Sequence, residues 1–500
     1  MKAKLPNSVF NLISVAGALL AIISLFTIIF LFIISFLFEQ QGSYMGLFIY
    51  VIIPPFLVLG LILIPIGMYL KNKREKLHGR EETLPIINLQ EPAHRNALFI
   101  FIIGTLVFVF LTAFGSYEAF HFSESTTFCG ELCHQVMNPE FVAYQNSPHA
   151  RVACVECHVG EGVDWFVKSK LSGVKQVLAV AMNTYPKPIP TPITDLRPAR
   201  ETCEKCHWPE KFYSRTVRLE KHYLTNENNT PWNINLVLKI GGQHSGIGLM
   251  EGIHWHVNRD NIVQYVTNDE KRQVIPWVRY INKATGDTTI YINEDDPLED
   301  GELAKLQVRE MECIDCHNRP SHIYFSPNKF INQQLASGNI DTAIPEIKAK
   351  LIEICEEEFG TLDSINNYAR TTIDEFYSNE YPEFYAENKT KIDKAVESFL
   401  VAYSQNIFPE MKVKWSNYPS NIGHFEDNGC FRCHSDLHVS SAGRAISKNC
   451  DLCHLINAQG TDDNMMIAKY NESLEFQHPE DIGDDWKEVN CIECHTGLNP

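Results

Sequence analysis

Cys430-Phe431-Arg432-Cys433-His434 is followed, with 16 residues between Cys433 and Cys450, by Cys450-Asp451-Leu452-Cys453-His454. In each stretch two thiols can add to the vinyl groups of one haem as thioethers. The histidine that follows then lies under the ring as a proximal iron ligand. A connection this short buries little apolar surface of its own, so the core around these motifs should be porphyrin.

The same spacing recurs along the chain. Cys154/Cys157/His158, Cys203/Cys206/His207, Cys313/Cys316/His317 and Cys491/Cys494/His495 bring the regular C-x-x-C-H motifs to six. A seventh, Cys129-Gly130-Glu131-Leu132-Cys133-His134, has one extra residue between its cysteines. A zinc ribbon does not need a histidine directly after the second cysteine, and a disulfide framework pairs cysteines over longer loops. Fourteen of 15 cysteines are absorbed in this way, so seven haem c groups are expected. The remaining one, Cys355, falls among Ile344, Ile347, Leu351 and Ile354 at helical spacing and reads as a core thiol.

The first 120 residues of the 500 are of a different kind. Uncharged runs at 9–38, 47–70 and 97–114, read as spans at about 9–38, 47–70 and 97–119, are each near or above the roughly 20 residues that span a bilayer. The first is too long for a signal-peptide core and shows no cleavage box. Lys71, Lys73, Arg74, Lys76, Arg80 and Arg95 lie between the second and third runs, which by the positive-inside rule makes that loop cytoplasmic. Three spans then place the rest outside the cytoplasmic membrane, where haem c is attached. A net charge of −18 argues against nucleic acid as a partner.

Seven six-coordinate irons need seven distal ligands. His149, His322, His424, His438 and His478 stand near attachment motifs and are the first candidates. His222, His244, His254 and His256 compete for the rest, with His254 and His256 alternating in a strand-like Gly252–Val257 that turns both to one face. Met137, three residues past His134, is either an axial ligand that raises the potential or a core methionine. The first motif follows the third span closely, so electrons from a lipid-soluble quinol would enter there. Lys170 or His121 could take the quinol protons.

Phe128–Met137, Asn146–Val152 with Cys154–His158, and Cys313–His322 together resemble the NapC/NirT/NrfH family of membrane-bound quinol dehydrogenases. The layout is also similar to the seven-haem inner-membrane cytochromes of metal-respiring bacteria. The resemblance implies menaquinol as electron donor, a periplasmic c-type cytochrome or reductase as acceptor, and distal roles for His149, His222 and His322. It also implies a quinol-site lysine near the second motif, for which Lys168, Lys170 and Lys175 are candidates. The chain departs from the family pattern in its number of spans and motifs and in its longer first motif.

The expected architecture is mostly α and irregular, with a haem-packed core, three transmembrane helices and a small β-rich insert. Its segments are a membrane anchor (1–120), haem region (121–222), β-rich insert (223–306), fourth motif (307–329), helical segment (330–415) and self-contained three-haem module (416–500). Two other readings stay open: a passive haem conduit within a larger complex, and a terminal nitrite-type reductase. The second is disfavoured because no C-x-x-C-K variant is present.

Overall fold

The computed structural model describes residues 7–37, 53–78, 89–92, scattered positions of 95–118, then 121–131, 134–160, 162–192, 197–209, 212–241 and 252–498. They form two compact units, 1–129 with 153–178, and 130–152 with 179–500.

In the smaller unit, α1 (Leu12–Leu37) packs along α2 (Ile53–His78). The seam is made of small residues. A Cβ added at Gly17 would lie 2.7 Å from the Gly60 carbonyl, and buried Ser14, Ala21 and Ser24 continue the line at helical spacing. Small residues let helix backbones approach where lipid supplies no hydrophobic drive. Ser14 Oγ donates to the Ile64 carbonyl at 2.8 Å, beside Pro65 inside α2. Among the described residues two helices are long and apolar enough to cross a membrane, Leu12–Leu31 and Ile53–Leu77, rather than the three expected. The expected third span lies in large part outside the described residues. The second helix runs on through the basic stretch, where Lys71 Nζ donates to the Phe10 carbonyl at 3.1 Å.

The larger unit holds two antiparallel sheets and a helical layer. β1 (Thr216–Tyr223), β2 (Pro231–Leu238), β8 (His454–Gly460) and β9 (Met465–Ile467) form one sheet in the order β1-β2-β8-β9. The other has the order β6-β3-β4-β5-β7, from β3 (Asn261–Val266), β4 (Trp277–Asn282), β5 (Thr288–Asn293), β6 (Arg309–Glu310) and β7 (His438–Ser440). Within the insert, β4 and β5 form a hairpin around the Asn282–Asp287 turn, with Gly286 at φ 77°. The carboxy-terminal segment, however, is not self-contained. Its β7 pairs with β5 and its β8 with β2, so the insert and the last motifs share both sheets.

The helical layer follows the apolar spacing of the sequence. Later in the chain than α3 (His134–Gln145) and α4 (Val163–Ala181), it contains α5 (Pro327–Ala336), α6 (Ile347–Glu356), α7 (Leu362–Glu380) and α8 (Pro382–Asn406). Phe330, Ile344, Leu351, Ile373, Tyr377 and Phe399 make its core, and Cys355 is buried among them.

Candidate functional site

Each regular attachment motif of the larger unit is a single helical turn followed by its histidine. The amide of His207 donates to the Cys203 carbonyl at 2.8 Å, that of His317 to Cys313 at 2.7 Å, and that of His495 to Cys491 at 2.8 Å. One turn brings residues i, i+3 and i+4 to the same side, which is what two thioethers and an axial imidazole on one porphyrin require. In the smaller unit the Cys154–His158 helix does the same, and a hydrogen bond from Cys129 lowers the Cys154 thiol to about 7. Cys133 and the side chain of His134 lie outside the described residues.

The thiols differ in how far the polypeptide itself covers them, with Cys157 and Cys206 among the least covered. Both are exposed, as are Cys450 and Cys494, whereas Cys154 and Cys203 are half-buried. The cause is local. The turns Cys154–His158 and Cys203–Lys205 contain no buried residue, so the protein's own side chains do not enclose their second thiols. Thioether formation needs a thiol within reach of a vinyl group rather than one buried by side chains, so Cys157 and Cys206 keep their place in the attachment set.

Five of the proximal histidines face a second imidazole. Ring centroids are 6.0 Å apart for His207 and His149, 6.4 Å for His317 and His254, and 5.8 Å for His434 and His256. They are 6.1 Å apart for His454 and His424, and 6.0 Å for His495 and His478. An iron bonded to two imidazole nitrogens at about 2.0 Å each sets the centroids about 6 Å apart. The residues therefore fit haem, with an imidazole above and below the iron and a thiol pair beside it. Burial holds His254, His256, His317 and His454 below the ordinary imidazole pKa and His424 down to about 4, leaving the neutral form that ligates iron.

The Nδ1 atoms supply a second test. His434 Nδ1 meets the Ser447 carbonyl at 2.9 Å, His256 Nδ1 the Ile253 carbonyl at 2.8 Å, and His478 Nδ1 the Glu480 carbonyl at 2.9 Å. His149 Nδ1 lies 3.3 Å from the Pro320 carbonyl, and His322 Nδ1 lies 3.0 Å from that of Glu140. A carbonyl at Nδ1 fixes the tautomer and leaves Nε2 as the ligand atom. His438 is the reverse case. Its Nε2 is engaged by the Ile275 carbonyl at 2.7 Å, in a buried site on β7. No iron-spaced partner ring faces it among the described residues, and it reads as a structural histidine rather than the expected distal ligand.

Two further expectations change. Residues Ile253–Val257 form a 3₁₀ turn, not a strand, entered at Gly252 with φ 109°, where a Cβ would collide with the Lys239 carbonyl. At three residues per turn, positions i and i+2 diverge. His254 thus meets His317 while His256 meets His434. His424 pairs with His454, the motif after the one beside it in sequence. His222 packs against Phe425 at 5.4 Å, and burial lowers it to about 4. His244 lies outside the described residues.

The quinol-site candidates fall in the smaller unit. His121 stands edge-on to Tyr117 at 4.4 Å. Helix Val163–Ala181 exposes Val167, Leu171, Val174, Val177 and Leu178 along one face, with Lys168 over the Trp165 ring at 4.7 Å and Lys175 on the same helix. The side chain of Lys170 lies outside the described residues. Met137, half-buried, sits on helix His134–Gln145 in the larger unit.

One cluster escaped the sequence reading. Asp315, inside Cys313-Ile314-Asp315-Cys316 and 2% exposed, accepts from Tyr265 at 2.8 Å, Arg272 at 3.0 Å and Arg309 at 2.7 Å. Arg432, inside Cys430-Phe431-Arg432-Cys433, donates to the Asp315 carbonyl at 3.1 Å. The available signal was a charged residue inside each attachment turn, without indication that the two would meet.

The N-terminal region of the NapC/NirT cytochrome c family matches residues 91–188. Over 495 residues, 98% of this chain and 96% of the other, the sequence is 43% identical to the cytochrome c-type protein ImcH of Geobacter sulfurreducens. It is 30% identical to the cytochrome c-type protein NrfH of Wolinella succinogenes over 115 residues, 22% of this chain and 63% of that one. No solved structure shows significant similarity.

Proposed function

Because the chain belongs to the NapC/NirT family of multihaem c-type cytochromes that serve electron transport, we propose that it holds seven haem c groups and oxidises menaquinol. In this reading it sits in the bacterial cytoplasmic membrane with its motifs on the periplasmic side, and gives electrons to a periplasmic c-type cytochrome or reductase. Haem iron with two axial ligands takes up and releases one electron at a time without opening a coordination position.

The observation that carries the reading is the composition of the smaller unit. It contains both apolar helices, the Cys154–His158 turn and the exposed apolar face of Val163–Ala181 with its lysines. A lipid-soluble donor would meet attachment motifs and titratable groups there. Lys168, Lys175 and His121 are the candidates to bind the quinol head and take its protons, because the metal centres accept only electrons. Met137, His222 and His322 are the candidates from which the distal ligands of the two remaining haems, those of His134 and His158, would come. The paired imidazoles of the larger unit favour transfer over substrate turnover, since bis-histidine iron has no vacant site.

Purified protein in liposomes, mixed anaerobically with a menaquinol analogue, should show rapid reduction of its haems. Fully ligated haems that stay oxidised would support the conduit reading instead. Nitrite turnover without a partner would support the reductase.

A further inference from the structure

The attachment motifs of the larger unit touch one another in the order in which the chain makes them. Between the motifs at Cys203 and Cys313, the Ala199 amide donates to Glu312 at 3.2 Å, and Arg200 pairs with Glu310 at 3.0 Å. Between those at Cys313 and Cys430, Arg432 of one turn donates to the Asp315 carbonyl of the other at 3.1 Å. Between Cys430 and Cys450, the Lys448 amide donates to Asp436 at 3.0 Å and the His434 ring meets the Ser447 carbonyl at 2.9 Å. Between Cys450 and Cys491, Lys448 Nζ donates to Asn490 at 2.9 Å.

The distal imidazoles repeat this order independently. His149, facing His207, rests on the Pro320 carbonyl just past the next motif. His254 and His256 leave one 3₁₀ turn to face His317 and His434, the next pair. His424, facing His454, stacks at 4.2 Å on Phe431 of the preceding attachment turn. Its neighbour Phe425 packs at 4.6 Å on His495 of the following motif.

We infer that the motifs beginning at Cys203, Cys313, Cys430, Cys450 and Cys491 hold their haems as one unbranched file in sequence order, with the carboxy-terminal motif as its exit. The inference rests on the reading above that every motif carries a haem, but not on the identity of the donor. Each transfer oxidises one ferrous iron and reduces the next ferric iron, with no bond made or broken and no proton bound. The electron enters at the Cys203 end and leaves from the Cys491 end, the last motif of the file.

The test injects electrons at the first end and counts how many haems they reach. Tyr213 is 82% exposed six residues after His207, and Cys355 is 8% exposed, so a ruthenium polypyridyl photoreductant can be tethered selectively at Tyr213→Cys in the haem-loaded full chain. Removing the motif at Cys491 (Cys491→Ala with Cys494→Ala) should remove one haem from the fast phase of reduction. Removing the one at Cys450 (Cys450→Ala with Cys453→Ala) should remove two, and the one at Cys430 (Cys430→Ala with Cys433→Ala) three. A loss of one in every variant would mean a branched array and overturn the file. Pyridine haemochrome content checks the premise, since each variant should lack one haem.

Where a variant loses more, His256→Met, His424→Met and His478→Met keep both thioethers and mark one haem by its Met–iron charge-transfer band. Bleaching of that band should arrive progressively later in that order; simultaneous or reversed arrival would refute the file. Photoinjection bypasses the quinol, so an intact file with no reduction by menaquinol would fault only the donor.

Discussion

Residues 327–406 and 424–498 both fold, but on different material. The first segment buries Phe330, Ile331, Ile347, Leu351, Ile354, Ile365, Ile373, Tyr377 and Phe399 to within 1% exposure. Each such side chain contributes roughly 1.5–3 kcal/mol. In the second, Ile456 is the only apolar side chain buried among the described residues. Its backbone is made of short helical turns and short strands. One region is specified by its own side chains. The other has almost no apolar core of its own, and its imidazole pairs stand apart by the width of an iron.

Haem removal is the largest perturbation of that contrast. Chain produced without haem attachment should lose amide protection throughout 424–498 while keeping it in α7 and α8, as read by hydrogen exchange. Equal protection in both segments would show that the carboxy-terminal region needs no cofactor to fold. Next in size, Phe399→Ala should cost about 3–5 kcal/mol in denaturant unfolding and leave the haem spectrum unchanged. Asp315→Ala should cost a similar amount, about 3–5 kcal/mol, because Arg272 and Arg309 lose their buried carboxylate. It should also disturb the spectrum, since Asp315 lies within an attachment turn. A spectrum as silent as that of Phe399→Ala would place the ion cluster outside the haem environment.

The two histidines of the five-stranded region sharpen the comparison at smaller cost. His256→Ala should convert one haem from low-spin to high-spin. His438→Ala should leave every haem low-spin and cost about 1–3 kcal/mol, from the unsatisfied Ile275 carbonyl and the lost ring. A spin change in His438→Ala would return that histidine to the ligand set.

The same contrast decides what could be read from the sequence. The helical segment was legible because Ile344, Ile347, Leu351 and Ile354 repeat at the period of the structure they form. The attachment turns were legible because their chemistry is local. How far each turn is enclosed was not, since the same C-x-x-C-H spacing leaves Cys157 and Cys206 exposed and Cys316 and Cys433 half-buried. Proximity in sequence pointed to His438, four residues past His434, whereas the ring that faces His434 is that of His256, brought in by a 3₁₀ turn from the β-rich insert. The alternation of His254 and His256 has the period of a strand, and only Gly252 with its left-handed φ hints at the turn. Pairing of β7 and β8 with the insert is long-range and leaves no mark in either segment. The Asp315 cluster joins four elements and is invisible for the same reason.

Lys348 gives the smallest prediction, inside the region whose core is mostly apolar. It is fully buried on α6, its ammonium donates to the Tyr223 carbonyl, and burial pushes its pKa down from 10.5 to about 7. The folded value lies below the unfolded one, so between those limits the unfolded chain binds a proton that the folded chain does not. Stability should therefore rise with pH from about 7 toward about 10, and the cost of holding the charge is fully present only below that window. Lys348→Met keeps most of the packing volume and removes the charge, at the loss of one hydrogen bond. At pH 6 the variant should melt at a higher temperature than the parent, and the gap should close or reverse near pH 10. A gap independent of pH would mean that Lys348 is neutral throughout or that water reaches its ammonium. In either case the helical segment would not penalise a charge in the way its dry, apolar core implies.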